Sequence, residues 1–283
     1  MKADIIWLTS TDSTNEEARR RIRDIDNLSV LSAFKQTAGR GQRGNTWTSA
    51  QGENLTFSIV LKFHHPDRHP ITENILPPVK ASEQFILTEI ASLSVIDFLS
   101  SYGISASIKW PNDIYVGSKK ICGMLIENSL RGSYISVSII GIGLNINQKN
   151  FDTNLINPTS LTLETGKRHL EPAECLNKLM DIFTSYIEDF LSSGSERTYT
   201  KIRENYLSHL WLLNKQAEFI DYTVMPGGHL EGPSDPTLKG SHDKGKNFSG
   251  IIRGLSPSGL LIVEDTDKGE LREFAFKEIG HII

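Results

Sequence analysis

Between residues 104 and 142 three apolar runs, at about 104–109, 120–128 and 133–142, follow one another with only short turns between them, Val116-Gly117-Ser118-Lys119 and Leu130-Arg131-Gly132. Runs this close leave no room for crossover helices, so they must pair antiparallel. Two further runs, 4–8 and 29–35, are joined by a segment in which Ala18, Ile22 and Ile25 recur at helical spacing while Arg19, Arg20, Arg21 and Arg23 are left for solvent. Ser13 with Glu16, or Thr14 with Glu17, has capping-box spacing at the start of that helix. A long strand over 53–63 follows a Gly-rich turn, and the Pro- and His-rich stretch from Pro66 to Pro78 reads as a surface loop. Ile86, Ile90, Leu93, Val95, Phe98 and Leu99 mark one helix. Leu176, Leu179, Met180, Phe183, Ile187 and Phe190 mark another, opened by Pro172 and closed near Gly194. A third helix is expected over about 196–210. The expected class is α+β, a mixed β-sheet flanked by helices.

After about Leu213 the texture changes. Short alternating runs at 216–224, 248–255, 259–265 and 270–276 are separated by Gly, Pro and Asp, which predicts a small C-terminal all-β, barrel-like domain over 214–283 beside a larger domain over 1–213. Met225 to Asn247, rich in Gly, Pro, His and Lys, reads as a long loop. Composition excludes more than it assigns. The formal net charge of −4 argues against a protein that grips nucleic acid through bulk charge. Two cysteines, Cys122 and Cys175, cannot make a disulfide framework and point to a reducing, cytoplasmic setting. The N-terminus lacks the apolar stretch of a signal peptide, and no window approaches the ~18 apolar residues of a membrane span.

Four segments carry chemistry. In Gln36-Thr37-Ala38-Gly39-Arg40-Gly41-Gln42-Arg43-Gly44-Asn45-Thr46-Trp47, three glycines in six residues alternate with two arginines. Glycine lets backbone N–H groups approach an anion, arginine forks onto phosphate or carboxylate, and Trp47 offers a stacking face. The spacing is neither a P-loop nor a dinucleotide motif, and a solvated turn or an RNA-touching segment would read the same. Ile108-Lys109-Trp110-Pro111-Asn112-Asp113-Ile114-Tyr115 is a Pro turn whose Asn and Asp suit local turn chemistry. Lys109 and Asp113 nevertheless flank the strand ends, and Asp113 is a candidate contact for Mg²⁺. In Lys119 to Glu127, alternation puts Lys120, Cys122 and Met124 on one face. An inward lysine needs an anionic partner, whereas a strand-edge lysine only snorkels. Gly123 suggests close approach of a ligand or backbone. In Ile140 to Asn147, Gly141 and Gly143 clear one strand face, and Asn145 presents a donor and an acceptor suited to an adenine edge.

In order along the chain, these segments resemble the biotin–protein ligase (biotin–[acetyl-CoA-carboxylase] ligase) family. The matching blocks are Asp12-Ser13-Thr14-Asn15, Gln36 to Trp47, Lys109 to Asp113, Lys120 through Glu127, and Gly141 to Asn145, over about residues 5–150. The resemblance implies a catalytic ligase domain over 1–213, and a reaction in which the carboxylate of biotin attacks the α-phosphate of Mg·ATP to give biotinyl-5′-adenylate and pyrophosphate. A lysine of a biotin carboxyl carrier protein then takes the biotinyl group and AMP leaves. It implies Lys120 and Arg40 as the catalytic residues. Ser13, Thr14, Asn15, Gln36, Gly39, Arg40, Gly41, Gln42, Lys120 and Gly123 would lie around biotin. Arg40, Arg43, Trp47, Lys109, Asn112, Asp113, Lys120 and Asn145 would lie around ATP, with Asp113 toward Mg²⁺.

Gln42 stands where many relatives carry another arginine, and a neutral amide binds phosphate less strongly than guanidinium. Retention of the adenylate is therefore expected to be no tighter than in Arg-bearing relatives. The pattern starts at about residue 5, so no DNA-binding helix-turn-helix, and no repressor function, is expected. Family members occur as monomers and dimers, and an edge strand of the sheet could make a homodimer. A lipoate–protein ligase or octanoyltransferase is the nearest enzymatic rival, and a Gly/Arg-loop nucleic-acid module is the rival of another class. His64, His65 and His69 are broken up by Pro66 and Pro70 and read as loop residues rather than metal ligands.

Overall fold

The computed structural model describes residues 3–67, 75–193, 196–224 and 245–282. The chain divides into two compact units, Met1–His209 and Leu210–Ile283. The first contains β1 (Asp4–Leu8), α1 (Thr14–Arg21), β2 (Ser29–Ala33), β3 (Leu55–Lys62), α2 (Phe85–Ser100), β4 (Ser107–Lys109), β5 (Asp113–Val116), β6 (Lys119–Arg131), β7 (Tyr134–Leu144), α3 (Leu161–Thr165), α4 (Pro172–Ser193) and α5 (Glu196–Ser208). Its seven strands form one sheet in the order β1-β2-β3-β7-β6-β5-β4. Only β1 and β2, the pair connected through a helix, run parallel. The tightly connected β4 to β7 pair antiparallel, as their short turns require.

The two faces of the sheet differ in chemistry. On one, Ala18 and Ile25 pack with Leu31, Val60 and Ile139, and Ile6, Leu8, Ile22 and Val137 close around them. That apolar patch stops where β3, β7 and β6 bring Thr56 opposite Gly143 opposite Gly123, and Ser58 opposite Gly141 opposite Leu125. Small and polar residues there leave the face uncovered by apolar bulk. Helix α2 is apolar nearly all round, which only a helix buried on several sides tolerates. It packs against β4, β5, α4 and α5. Its one acidic interior residue, Glu89, is 0% exposed and bonded to Arg203 of α5. Burial pushes its carboxyl up to about 7, with Arg203 opposing.

The second unit is all antiparallel: β8 (Gln216–Asp221), β9 (Lys246–Leu255), β10 (Leu261–Asp265), β11 (Glu270–Phe274) and β12 (Ile279–His281), in the order β11-β10-β9-β8-β12. Phe219, Phe248 and Phe274 stack through its core. Arg272 lies over the rings of Phe248 and Phe274 and bonds Asp221, with Asp265 at 3.4 Å.

Three sequence expectations change. The three runs at 104–142 contain a fourth strand, β5, because the Pro turn and the Val116–Lys119 turn leave four residues between them to pair. The short β12 was also not expected. The capping box does not form: Ser13 is the N-cap residue but its side chain makes no cap bond. Glu16 and Glu17 instead bond arginines a turn or more away. Most of the expected 225–247 loop (225–244) and His69 lie outside the described residues.

Candidate functional site

The Gly/Arg segment folds back on itself. Trp47 N–H donates to Gly39 O at 3.0 Å and Gly41 N–H to Asn45 O at 2.7 Å, around a 3-10 turn at Gln42–Gly44. Gly44 has φ +85, a conformation that costs an L side chain. At Gly39 a Cβ would stand 2.3 Å from Trp47 O, so only glycine permits the closure. Because the Gly41 N–H is already spent on Asn45, it is not free to cradle an anion. The side chain of Arg43 lies outside the described residues.

The closure lays Trp47 onto the glycine floor of the sheet. A Cβ at Gly143 would come within 2.2 Å of Trp47 Cε2, and one at Gly123 within 3.2 Å of Trp47 Cζ3. Trp47 Nε1 is buried and, among the described residues, has no hydrogen-bond partner. Leaving such a donor unmade costs about 1–3 kcal/mol unless something else accepts from it.

Lys120 reaches the other side of the same floor. Asp113 pairs with Gly123 and Tyr115 with Lys120, and the register slips between Ile114 and Tyr115, so Ile121 is the extra residue of a bulge. The bulge breaks the alternation expected for this strand. Cys122 is 0% exposed, whereas Lys120 turns to the face of Gly123, where its Nζ would sit 3.2 Å from a Cβ. There Lys120 Nζ donates to Asp113 Oδ2 at 2.7 Å. The main chain at Lys120 is held by Asn157 O and Thr159 N–H, at 2.8 and 2.9 Å. Lys109 Nζ lies 5.0 Å from the Tyr115 ring centroid. Desolvation lowers the Lys109 ammonium, Asp113 opposes this, and Lys120 adds to it. One carboxylate thus faces two ammonium groups, which leaves the cluster with a net positive charge.

Toward α1 the polar residues interlock. Thr14 N–H donates to Gln36 Oε1 at 2.8 Å, and Asn15 Nδ2 donates to Glu127 Oε2 at 2.8 Å and to Leu125 O at 3.2 Å. Ser58 Oγ lies 2.6 Å from Asn15 Oδ1 and 2.7 Å from Thr14 Oγ1. Gly141 leaves room for Asn15, whose Oδ1 would be 2.3 Å from a Cβ there. Ser13 is buried alongside.

Three predicted site residues point elsewhere. Arg40 bonds Glu16 of α1, with Glu127 at 3.8 Å, rather than facing the Lys120 cluster. Asn112 is buried and its amide bonds Met124 O, while Met124 N–H returns to Asn112 O. It therefore pins the Pro turn to β6, and Tyr206 OH holds the same turn from behind through Pro111 O at 3.0 Å. Asn145 donates to Thr159 O at 2.9 Å, fastening the segment that clamps Lys120. Gln42 opens the 3-10 turn. Ser58 was missed in the sequence, although a small polar residue inside the apolar run Leu55–Lys62 is a readable signal. As for Mg²⁺, no group of three or more His, Cys, Asp or Glu stands together among the described residues. Asp113, the one expected contact, is a single carboxylate bonded to Lys120, which suits a metal that arrives with the nucleotide's phosphates rather than one the protein holds by itself.

Residues 7–145 match the model of the biotin/lipoate A/B protein ligase family. The bifunctional ligase/repressor BirA of Bacillus subtilis is 31% identical over 263 residues, covering 92% of this chain and 68% of that protein. BirA of Bacillus spizizenii is 30% identical, and the match spans 61% of its length. The biotin–[acetyl-CoA-carboxylase] ligase of Paracoccus denitrificans is 30% identical over 235 residues, 81% of this chain and 90% of that protein. Among solved structures, the biotin protein ligase of Aquifex aeolicus in complex with biotin and ATP superposes with a TM-score of 0.69 at 24% identity, over 99% of this chain and 98% of that one. At that identity the likeness speaks for the fold.

Proposed function

The chain belongs to the biotin–protein ligases of the biotin/lipoate A/B protein ligase family, and from that premise we propose that it activates biotin with ATP and transfers it to a lysine of a biotin carboxyl carrier protein. The observation that carries the reading is the convergence of Lys120, Lys109 and Asp113 beside the glycine floor under Trp47. Two anions, a carboxylate and a triphosphate, must meet for the first step, and their repulsion is the main barrier that positioned cations can lower.

In this reading a carboxylate oxygen of biotin attacks the α-phosphorus of ATP, the bond to the β-phosphate oxygen breaks, and pyrophosphate leaves with the electron pair. Lys120 exchanges Asp113 for the biotin carboxylate and the α-phosphate, and Lys109 faces the outgoing phosphates. Mg²⁺ enters with the nucleotide as part of the substrate, and the protein's own part is the lysine pair. Trp47 lies against the adenine side, where its unspent Nε1–H can donate to an acceptor on the ligand. Ser13, Thr14, Asn15 and Gln36 ring the ureido group, which needs donors and acceptors together. Arg40 must leave Glu16 to reach an anion, so binding and loop rearrangement are coupled. In the second step the deprotonated amine of the carrier lysine attacks the acyl carbon of the mixed anhydride, an amide forms, and AMP leaves. No enzyme nucleophile is needed, which suits Cys122, buried at 0% exposure with its thiol pushed up by desolvation.

We place the protein in a reducing, cytoplasmic setting, which suits its two free, buried cysteines. No helix among the described residues is long and apolar enough to cross a membrane. A homodimer through an edge strand of the sheet, β1 or β4, belongs to the same proposal. The test is ATP–pyrophosphate exchange with biotin or lipoate as the acid. Biotin-dependent exchange is expected, and exchange that answers to lipoate alone would overturn the assignment in favour of a lipoate ligase.

A further inference from the structure

We propose that Thr159 and Glu164 are positioning residues for Lys120: together they lock a short segment that stands in for a missing sheet neighbour, and so fix where the lysine ammonium meets the two reacting anions. This role rests on the biotin reading above and falls on a part of the chain to which that reading gives no task.

Lys120 sits at a weak point of its sheet. Strand β7 ends at Leu144, opposite Cys122, and so stops short of Lys120. On the β5 side the register slips at the same place, at the bulge of Ile121. The chain supplies a substitute neighbour. It returns at residues 157–159, where Pro158 forms an isolated parallel bridge with Lys120. Lys120 N–H donates to Asn157 O at 2.8 Å, and Thr159 N–H donates to Lys120 O at 2.9 Å. Asn145 N–H takes the carbonyl of Ile121 at 3.0 Å. Both main-chain groups of the lysine are thus held by a segment outside the strands.

So short a segment does not hold itself in place. Asn157 has φ +46, a left-handed conformation that Asn tolerates but does not impose. Thr159 is followed by the N-cap residue Ser160 and by α3, which is only five residues long. A helix this short is not stable alone, so its entry angle depends on side-chain contacts. Thr159 precedes the cap and Glu164 is the fourth helical residue, the two positions at which an apolar pair commonly fixes that angle. Here the pair is polar. Thr159 Oγ1 donates to Glu164 Oε1 at 2.5 Å, and Lys119 Nζ bonds the same oxygen. Burial would raise the Glu164 carboxyl, but its bonds to Lys119 and Thr159 outweigh burial and hold it below the ordinary 4.5. A carboxylate only accepts, so the Thr159 proton is committed to it. Thr159 is buried, and water does not compete for its hydroxyl. An apolar pair can slide against itself, whereas a hydroxyl–carboxylate bond has a direction. That direction sets Thr159, and the Thr159 N–H sets the carbonyl of Lys120.

The consequence is geometric. Lys120 Nζ has to stand between two anions, and a misplacement of about 1 Å at a reacting centre can cost on the order of a hundredfold in rate. Loosening the lock should therefore act on kcat, while the biotin ring and the adenine keep their own contacts and the KM values stay close.

The test is biotin-dependent ATP–pyrophosphate exchange by the full chain and by Thr159→Val, Thr159→Ser, Glu164→Ala and Lys119→Ala, each shown by melting to be folded. Thr159→Val exchanges a hydroxyl for a methyl group at nearly equal size. It should lower kcat by about tenfold or more, the scale of one hydrogen bond to a charged group, with both KM values within about threefold. Glu164→Ala should do the same, and Thr159→Ser, which keeps the hydroxyl, should restore the rate. Lys119→Ala leaves the Thr159–Glu164 bond in place and should stay within about threefold of the unsubstituted rate. Hydrogen exchange of the Lys120 amide should speed up in Thr159→Val and Glu164→Ala, and not in Thr159→Ser or Lys119→Ala. An unchanged kcat in Thr159→Val, a rise in KM at constant kcat, or an equal loss in Lys119→Ala overturns the proposal. Should Glu164→Ala not fold, Thr159→Val carries the same test from the other side of the bond. If the unsubstituted protein shows no biotin-dependent exchange, the biotin reading falls and the catalytic role of the lock with it, whereas protection of the Lys120 amide still reports whether the lock holds.

Discussion

Asp113 Oδ2 and Lys120 Nζ lie 2.7 Å apart across β5 and β6, although a regular strand would have aimed Lys120 with Cys122 into the opposite face. The bulge at Ile121 makes the pair. With no substrate near, Asp113 neutralises Lys120 and competes with any arriving anion for it. Asp113→Asn therefore removes a competitor and also loosens the lysine. Orientation should dominate, because a bond to a charged group contributes about 1.5–3 kcal/mol. The expected outcome is a kcat lower by about ten- to a hundredfold with the KM for ATP nearly unchanged, measured by ATP–pyrophosphate exchange. An Asp113→Asn protein as fast as the unsubstituted one would mean that Lys120 needs no partner to be placed.

Gly143 and Gly123 face the same tryptophan with different tolerance. A Cβ at Gly143 would meet the ring of Trp47 at 2.2 Å, whereas the one at Gly123 meets ring and flexible lysine atoms at 3.2 Å. Gly143→Ala should displace Trp47, cost about 1–3 kcal/mol as overpacked interiors do, and shift the fluorescence of Trp47. Gly123→Ala should melt nearly as the unsubstituted protein does but lower kcat, since the neighbour it pushes is Lys120 Nζ. Equal melting temperatures for the two variants would argue that Trp47 does not rest on the floor in solution.

Desolvation lowers the Lys109 ammonium below its ordinary value of 10.5. An anionic triphosphate favours the charged form, so ATP affinity is full below the lowered pKa and falls as pH rises through it. Lys109→Arg keeps its charge at any accessible pH and should move the alkaline fall upward. The measurement is ATP affinity across pH 7–10 in both proteins, and coincident profiles would remove Lys109 from the phosphate contact.

In the second unit, burial would raise the Asp221 carboxyl, but its bonds to Arg272 and Thr223 outweigh burial and hold it below the ordinary 3.8. A depressed carboxylate contributes stability above its unfolded pKa and loses it as pH falls through the folded one. Removing one partner of a buried pair costs about 3–5 kcal/mol. Asp221→Asn should therefore lower the melting temperature at pH 7, and the gap should narrow below about pH 4. A gap that stays constant to pH 3 would mean that the side chain acts through shape alone.

Much of the site was legible in the chain because it rests on residue types that few other roles need. Three glycines and two arginines before a tryptophan, and Lys109 to Asp113 at a Pro turn, announce close approach and charge. The elements were legible where period and turn chemistry agree, as in α2, α4 and the antiparallel run from β4 to β7. Local spacing does not report a bulge, so the face of Lys120 was misread. Nor does it report partners more than a hundred residues away, such as Glu127 for Asn15. The capping box at Ser13 does not form because Glu16 is taken by arginines, Arg19 on the next turn and Arg40 of a loop 24 residues on. Asn112 and Asn145 look like ligand residues in the sequence, and each gives an amide N–H to a main-chain carbonyl, a structural contact that local spacing does not report.

The account turns on Lys120 as the cation that brings biotin carboxylate and α-phosphate together. The direct measurement is transfer of radiolabelled biotin to a carrier domain by the unsubstituted protein and by Lys120→Ala, with both shown to be folded. Loss of one preorganised charge contact at a reacting oxyanion typically costs about 10²–10³ in rate, and a fall of at least about a hundredfold is expected. Undiminished transfer by Lys120→Ala would contradict the account at its centre.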